Sequence, residues 1–347
     1  MSLKLGLSTG LLTGGDALAR GLDLVKEAER LGFDSVWSSE TYGNDALTPL
    51  AWWGSHTKTV KLGTSIIQIS ARRPTATAMA AMTMDLLSDG RFLLGLGVSG
   101  PQVVEGWYGE PFAKPLARTR EYVSIVRDVV ARREPVRSAG PHYSLPVGER
   151  EGVTGLAKPL KTILHPLEER VPIFLAAQGP KNIALAAEIG DGWLPLYYSP
   201  QYDEELYAPR LEEGFARRGG RPDDFEVAPT VPFILDDDVE RAADVLRPMY
   251  ALYFGGMGAR EKNFHNEVLV RMGYEDEAAK IQDLYLEGKK DEAAALVPRK
   301  LIEELALIGP AAKIRHDLEA WRASPVTTIL VAGPEQRLRQ AAEIVLG

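Results

Sequence analysis

The chain has 347 residues, 45% of them hydrophobic, and a formal charge of −8. That length supports one large domain with a substantial core, and the acidic balance argues against nucleic acid and anionic membranes as partners. It contains no cysteine, which excludes disulfides, thiol nucleophiles and Cys-ligated zinc or iron–sulfur clusters. No apolar run approaches the length of a membrane span. The first residues read as a strand and not as a basic segment with a long apolar core, so no signal peptide and a cytoplasmic location are expected.

In chain order, residues 3–8 read as a first strand entering the loop 9–15. Asp16 is placed as the cap of a helix with Leu18, Leu22, Val25 and Leu31 on its apolar face, ended by Gly32. A strand over 33–39, a loop over 40–44 and a short helix over 49–56 follow. Residues 61–69 are an apolar, β-branched run of the kind buried on both faces of a parallel sheet. Pro74 opens a helix, since its missing N–H costs nothing at the first helical position. Ser88-Asp89-Gly90 ends that helix and leads into a strand over 91–97, completing a right-handed βαβ unit.

Gly95-Leu96-Gly97-Val98-Ser99-Gly100 matches G-x-G-x-x-G, but the dinucleotide fingerprint opens a helix directly after its strand. Residues 101–106 are read here as starting no helix. A tight turn at a strand end, near a ligand phosphate, fits better. A helix over 116–132 follows, and then 133–171, rich in Pro, Gly and charge, breaks the rhythm as an excursion. A strand over 172–176, a helix over 181–189, a strand over 192–196 and a helix over 203–218 resume it. A strand over 225–235, interrupted by Pro229 and Pro232, and a helix over 239–254 come next. Residues 255–307 form a second, polar and helical excursion, read either as a lid over the barrel mouth or as a dimer contact or solvated extension. The helix 310–321, the strand 326–332 and the helix 334–346 close the chain. Eight strands alternating with helices make a (β/α)8 TIM barrel with excursions at about 133–171 and 255–307, one domain over 1–347. An open doubly wound sheet is the rival.

In such a barrel the loops after the strand C-termini form the active face. The five histidines are not paired at metal-ligand spacing, and no metal is expected. Neither G-x-S-x-G nor G-x-x-x-x-G-K-[ST] occurs, so serine hydrolase and P-loop readings have no motif support. Gln178-Gly179-Pro180-Lys181 is a glycine turn opening a helix, where free N–H groups and the helix dipole favour an anion. It reads equally as an ordinary strand-to-helix turn. Arg72 and Arg73 face either an acidic ligand or solvent.

LGTSII followed by RRP, an Ala/Met-rich helix and MDLLSDGRFLLGLGVSG resembles the bacterial luciferase-like family, in its branch that uses coenzyme F420, a deazaflavin. Further matches are the runs 35–40, 176–180, 190–193 and 325–329. The resemblance is weakest over the two excursions. It implies a homodimeric (β/α)8 barrel with the cofactor ring in the mouth and a cis peptide between Ser65 and Ile66, at a bulge that backs the ring. It further implies that Val98-Ser99-Gly100 and Ala177-Gln178-Gly179 hold the ribityl phosphate and side chain, with Ala176, Pro180 and Leu194 beside them. Many relatives carry Asp-His after the second strand; here the pair is Glu40-Thr41. Glu40 keeps the carboxylate, as cofactor contact or as proton donor, whereas the Thr41 hydroxyl cannot titrate near neutrality. The alternative proton sources are Tyr42, Glu105 and water. The expected activity is F420-dependent hydride transfer to or from a small organic substrate. The rivals are a reduced-FMN monooxygenase and a non-catalytic flavin or deazaflavin carrier.

Overall fold

The computed structural model describes residues 3–10, 15–149 and 151–347. Most of the loop expected at 9–15 therefore lies outside the described residues. The barrel strands are β1 (Lys4–Ser8), β2 (Ser35–Ser38), β3 (Lys61–Thr64), β4 (Phe92–Gly97), β5 (Ile173–Ala176), β6 (Gly192–Leu194), β7 (Glu226–Val227) and β8 (Thr328–Val331). All are parallel, and neighbours in the sheet follow chain order, with β8 beside β1. Thr230 closes the ring, bridging Leu196 on one side and Leu330 on the other. The Thr327 amide donates to Val227 O at 2.9 Å and the Leu330 amide to Pro229 O at 2.8 Å. Both faces of this sheet are covered, which is why β2, β4 and β8 are buried at every position.

The interior is built in layers. At the N-terminal ends of the strands Lys4 donates to Glu226 at 2.8 Å, and Thr328 to the same carboxylate at 3.2 Å. Above them, Trp37, Leu93, Phe174, Leu194, Ala228 and Leu330 form a separate apolar cluster, with Ile66 and Ala176 packed on it. Small residues make room for this plug. A Cβ on Gly63 would lie 2.3 Å from the Trp37 ring, and one on Gly192 would lie 2.3 Å from Phe174. Trp37 and Phe174 meet edge to face at 5.3 Å. The larger core cluster lies outside, between the sheet and the surrounding helices.

Helices start where the sequence supplies proline at the first turn: Pro74–Ser88, Pro115–Ala131 and Pro180–Ile189. Pro74–Ser88 ends with Asp89 and Gly90 in the left-handed region (φ 56° and 77°), a turn fastened by Arg91, whose guanidinium donates to Gly54 O, Thr57 O and Val60 O. Asp191, ahead of β6, pins the same end of the barrel. Its carboxylate accepts from Arg127 at 3.0 Å, Arg170 at 2.5 Å and the Ile173 amide at 2.8 Å.

Several expectations need correction. Residues 101–106 do form a short helix, Pro101–Gly106, with Gly100 extended ahead of it. The run 225–235 is two strands. β7 stays in the barrel, while Phe233–Leu235 leaves it to pair in parallel with Leu307–Gly309, a strand that the second excursion was not expected to end in. Asp16 lies inside the first turn of the helix Gly15–Arg30, and Leu18 is exposed. The first excursion contains an antiparallel hairpin, Ser138–Ala139 with Ser144–Leu145, followed by a cis Leu145–Pro146 bond. The second is helical as expected, with Asn266–Arg271, Glu275–Leu286, Lys290–Ala295 and Arg299–Leu305.

Candidate active site

The C-terminal face is shaped first by the end of β3. The Ser65–Ile66 bond is cis. The Ser65 amide donates to Ser38 O at 2.7 Å, and the strand resumes as Ile67–Gln68, paired with Leu96 and Gly97 of β4. This explains the glycines of β4 without any dinucleotide turn. A Cβ on Gly95 would sit 1.7 Å from the Thr64 carbonyl oxygen, and one on Gly97 2.8 Å from Ile66. The strand must be bare where the bulge leans on it.

Glu40 follows β2 and is buried. Its two oxygens accept from Arg72 at 2.7 and 2.9 Å, and Oε2 also accepts from the Gln68 amide at 3.1 Å. Arg72 thus faces a protein carboxylate, whereas Arg73 is exposed. The Thr41 carbonyl accepts from Gln68 Nε2 at 2.9 Å and from the Tyr108 hydroxyl at 3.2 Å. The loops after β2, β3 and β4 are therefore laced together beside the bulge. Burial, helped by the Glu40 charge, raises the Tyr108 phenol above its ordinary range.

Across the mouth, β5 runs into Ala177-Gln178-Gly179 and the helix Pro180–Ile189. Trp193 of β6 donates to Ala177 O at 2.9 Å. Gln178 is met by the second excursion: its Nε2 lies 3.2 Å from His265 Nδ1, and its carbonyl accepts from Arg271 at 3.0 Å. Burial holds the His265 imidazole at a pKa of about 4, so it is neutral at physiological pH. The ring stands edge-on to Tyr197 and Tyr253 at 5.7 and 5.2 Å. Phe264 approaches Phe112 of the loop after β4 at 6.2 Å, with the Lys262 ammonium over both rings. Tyr42 and Trp107, both well exposed, pair at 6.4 Å on the rim. The excursion accordingly stands at the C-terminal face.

Of the expected site residues, Glu40, Thr41, Ser65, Ile66, Val98, Ser99, Gly100, Ala176, Ala177, Gln178, Gly179, Pro180 and Leu194 all lie at or just beyond the C-terminal ends of β2 to β6. Leu194 and Ala176 belong to the plug or pack on it. Ser99 is left-handed at φ 59°. Gln68, Tyr108, Tyr253, His265 and Arg271 are additions that only the folded chain reveals. Gln68 alone had a local signal, as an amide inside an apolar strand run.

Two buried polar atoms near the bulge, Ser38 Oγ and Gln68 Oε1, have no hydrogen-bond partner among the described residues. Unpaired groups at the end of a barrel are costly unless a polar ligand meets them. A flat heteroaromatic ring with polar edges fits a floor of Ile66, Ala176 and Leu194 beside them.

Three kinds of likeness accompany this geometry. A Mycobacterium tuberculosis (strain H37Rv) protein that carries the provisional name coenzyme F420-dependent oxidoreductase is 52% identical over 346 residues, 99% of each chain. The 5,10-methylenetetrahydromethanopterin reductase of Archaeoglobus fulgidus is 27% identical over 89% of this chain and 88% of its own. Among solved structures, the coenzyme F420-dependent tetrahydromethanopterin reductase of Methanopyrus kandleri superposes with a TM-score of 0.81 at 24% identity. The superposition covers 100% of this chain and 99% of that one. The sequence model of the luciferase-like monooxygenases matches residues 1–328, from β1 through the bulge and both excursions to the first residue of β8, and the chain belongs to that family.

Proposed function

We propose that the protein is a coenzyme F420-dependent oxidoreductase that exchanges a hydride with a small organic substrate. The carrying observation is the 52% identity, over 99% of both chains, to a relative provisionally named for that activity. The unpartnered Ser38 Oγ and Gln68 Oε1 beside the bulge support a polar ring there. Once bound, the deazaflavin supplies the redox chemistry, and the protein supplies orientation and shielding. Ser65, Ile66, Ala176 and Leu194 back the ring. Val98-Ser99-Gly100 and Ala177-Gln178-Gly179-Pro180 hold the anionic chain, the latter with the Lys181 N–H, since Pro180 has none and the Asn182 and Ile183 amides donate to Gly179 O. Tyr42, Trp107, Phe112 and Phe264 wall the substrate side with aromatic surface.

Glu40 takes the role of an anchor in this reading. Among the described residues every hydrogen-bond partner of its carboxyl is a donor, Arg72 or the Gln68 amide, an arrangement that suits the carboxylate. Its charge orders Arg72 and the end of the bulge. Thr41 holds Gln68 and Tyr108 through its carbonyl. Proton supply falls to Tyr42, Glu105 or water at the mouth.

The test is titration of the cofactor-free protein with coenzyme F420 and FMN in parallel, followed by fluorescence. Tighter F420 binding is expected. FMN binding as tight or tighter moves the protein to the flavin-dependent branch of its family. A homodimer and a cytoplasmic location belong to the same reading. The first rests on exposed apolar side chains of two packed helices. Among the described residues no helix is long and apolar enough to cross a membrane.

A further inference from the structure

We propose that His265 and Arg271 are positioning residues for the cofactor, acting through Gln178 to hold the turn Ala177-Gln178-Gly179 in its binding shape. The inference rests on the reading that this turn carries the anionic part of the deazaflavin.

Gln178 is gripped at both ends. Arg271 donates to its backbone carbonyl at 3.0 Å from 93 positions away, and its side-chain amide lies against His265 Nδ1 at 3.2 Å from 87 positions away. The turn's other tether is the Trp193 indole on Ala177 O. A neutral imidazole presents one nitrogen as acceptor, so the Gln178 amide donates to Nδ1 and the ring proton sits on Nε2.

The gripping residues are themselves fixed. Asn263 is buried; its amide donates to Phe254 O at 2.9 Å and Tyr253 O at 3.3 Å, and its oxygen accepts from the His265 amide at 3.0 Å. Asn266 donates to Phe254 O at 3.1 Å and Ala278 O at 2.8 Å. Tyr197 and Tyr253 box the ring from two sides. Arg271 is partly desolvated, and its nearest carboxylate, Glu267, stands 3.8 Å off. The guanidinium is therefore committed to the Gln178 carbonyl, and not to a close ion pair. The excursion thus behaves as a rigid hook whose point is one glutamine in the cofactor turn.

The test uses the full chain. Coenzyme F420 affinity and dissociation are followed by fluorescence for the wild type, His265→Ala, Arg271→Ala, Gln178→Ala and the double variant His265→Ala/Gln178→Ala. Hydrogen exchange over residues 177–183 is measured on the cofactor-free proteins. His265→Ala and Arg271→Ala should each speed dissociation by about tenfold, the scale of one lost hydrogen bond, and raise exchange in the turn. His265→Asn, which keeps an acceptor near the Nδ1 position, and Arg271→Lys, which keeps a donor, should recover most of the loss. His265→Ala should add nothing once Gln178 is alanine, because the residues act as one unit.

Unchanged dissociation and exchange in His265→Ala, or a fully additive loss in the double variant, overturns the proposal. If the wild type itself fails to bind coenzyme F420, the functional reading falls and the cofactor role with it. The exchange measurements then report on the clamp alone. Loss of folding in an alanine variant is separated from loss of grip by the Asn and Lys variants, which must fold and bind if the proposal holds.

Discussion

Glu40 and Arg72 are the most committed pair at the mouth. One guanidinium nitrogen reaches both carboxylate oxygens, and the carboxylate is buried. Glu40→Gln turns half of that acceptor into a donor aimed at other donors. We expect a stability loss of about 1–3 kcal/mol, read by denaturant unfolding, together with weaker cofactor binding. Normal binding with a chemical step slowed a hundredfold would instead restore Glu40 as the proton donor. His265 makes a different prediction, in pH. Its pKa of about 4 in the folded protein lies below the ordinary 6.5 because burial disfavours the charged ring. The unfolded chain takes up a proton between those values that the folded protein refuses. The stability contribution is therefore full above pH 6.5 and is lost as pH falls toward 4, at most about 3 kcal/mol. Subtracting the pH dependence of His265→Asn from that of the wild type, between pH 7 and 5, should reveal this slope. Equal slopes would mean the ring is solvated.

Among the elements, β4 carries the sharpest contrast. Gly95→Ala places a methyl 1.7 Å from a backbone oxygen, which nothing flexible can relieve, and should abolish soluble protein. Gly97→Ala meets the end of Ile66 at 2.8 Å, which can turn aside. It should fold with a loss of about 1–3 kcal/mol and a disturbed cofactor floor, measured by thermal melting and titration. Asp191→Asn would leave Arg127 without its carboxylate, and Arg170 with only Asp224 at 3.7 Å, at the other end of the barrel. The cost should be about 3–5 kcal/mol, with cofactor affinity unchanged in the folded fraction. The elements differ in how openly the sequence announces them. Barrel strands such as 92–97 and 328–331 are apolar runs between turn residues, and their C-terminal loops locate Glu40, Ser65 and Gln178 by the architecture alone. Leu307–Gly309 is a three-residue strand at the tail of a polar helical stretch, too short to show a period. Pro229 and Pro232 did mark the break in 225–235, since each removes a ladder donor; the partner of Phe233–Leu235 lies some seventy positions on and leaves no local trace. Pro101 stands at the first turn of the helix Pro101–Gly106, a helix-start signal that the reading of 101–106 passes over. His265 and Arg271 reach the site only through the fold of the second excursion, and Tyr253 from the end of the helix before it, so no spacing rule could assemble them.

For the whole molecule, Trp52, Met79 and Leu87 are more than half exposed on the adjacent helices Leu47–Gly54 and Pro74–Ser88. The homodimer proposed above would cover these side chains with a second copy. Leu87→Glu should convert a dimer to monomers in analytical ultracentrifugation, and a monomeric wild type would remove the idea. The barrel interior has a consequence for kinetics. Lys4 and Glu226 close one end and the Trp37–Phe174 plug fills the middle, so among the described residues the way in is at the strand C-termini. In the proposed reading, a cofactor ring resting on Ile66 and Leu194 would be the deeper guest, and whatever exchanges a hydride with it would sit nearer the door. Traffic through one opening is a queue. In that reading the cofactor would enter first and leave last, so the second product should inhibit competitively against cofactor and the first should not, with saturating substrate trapping the cofactor inside.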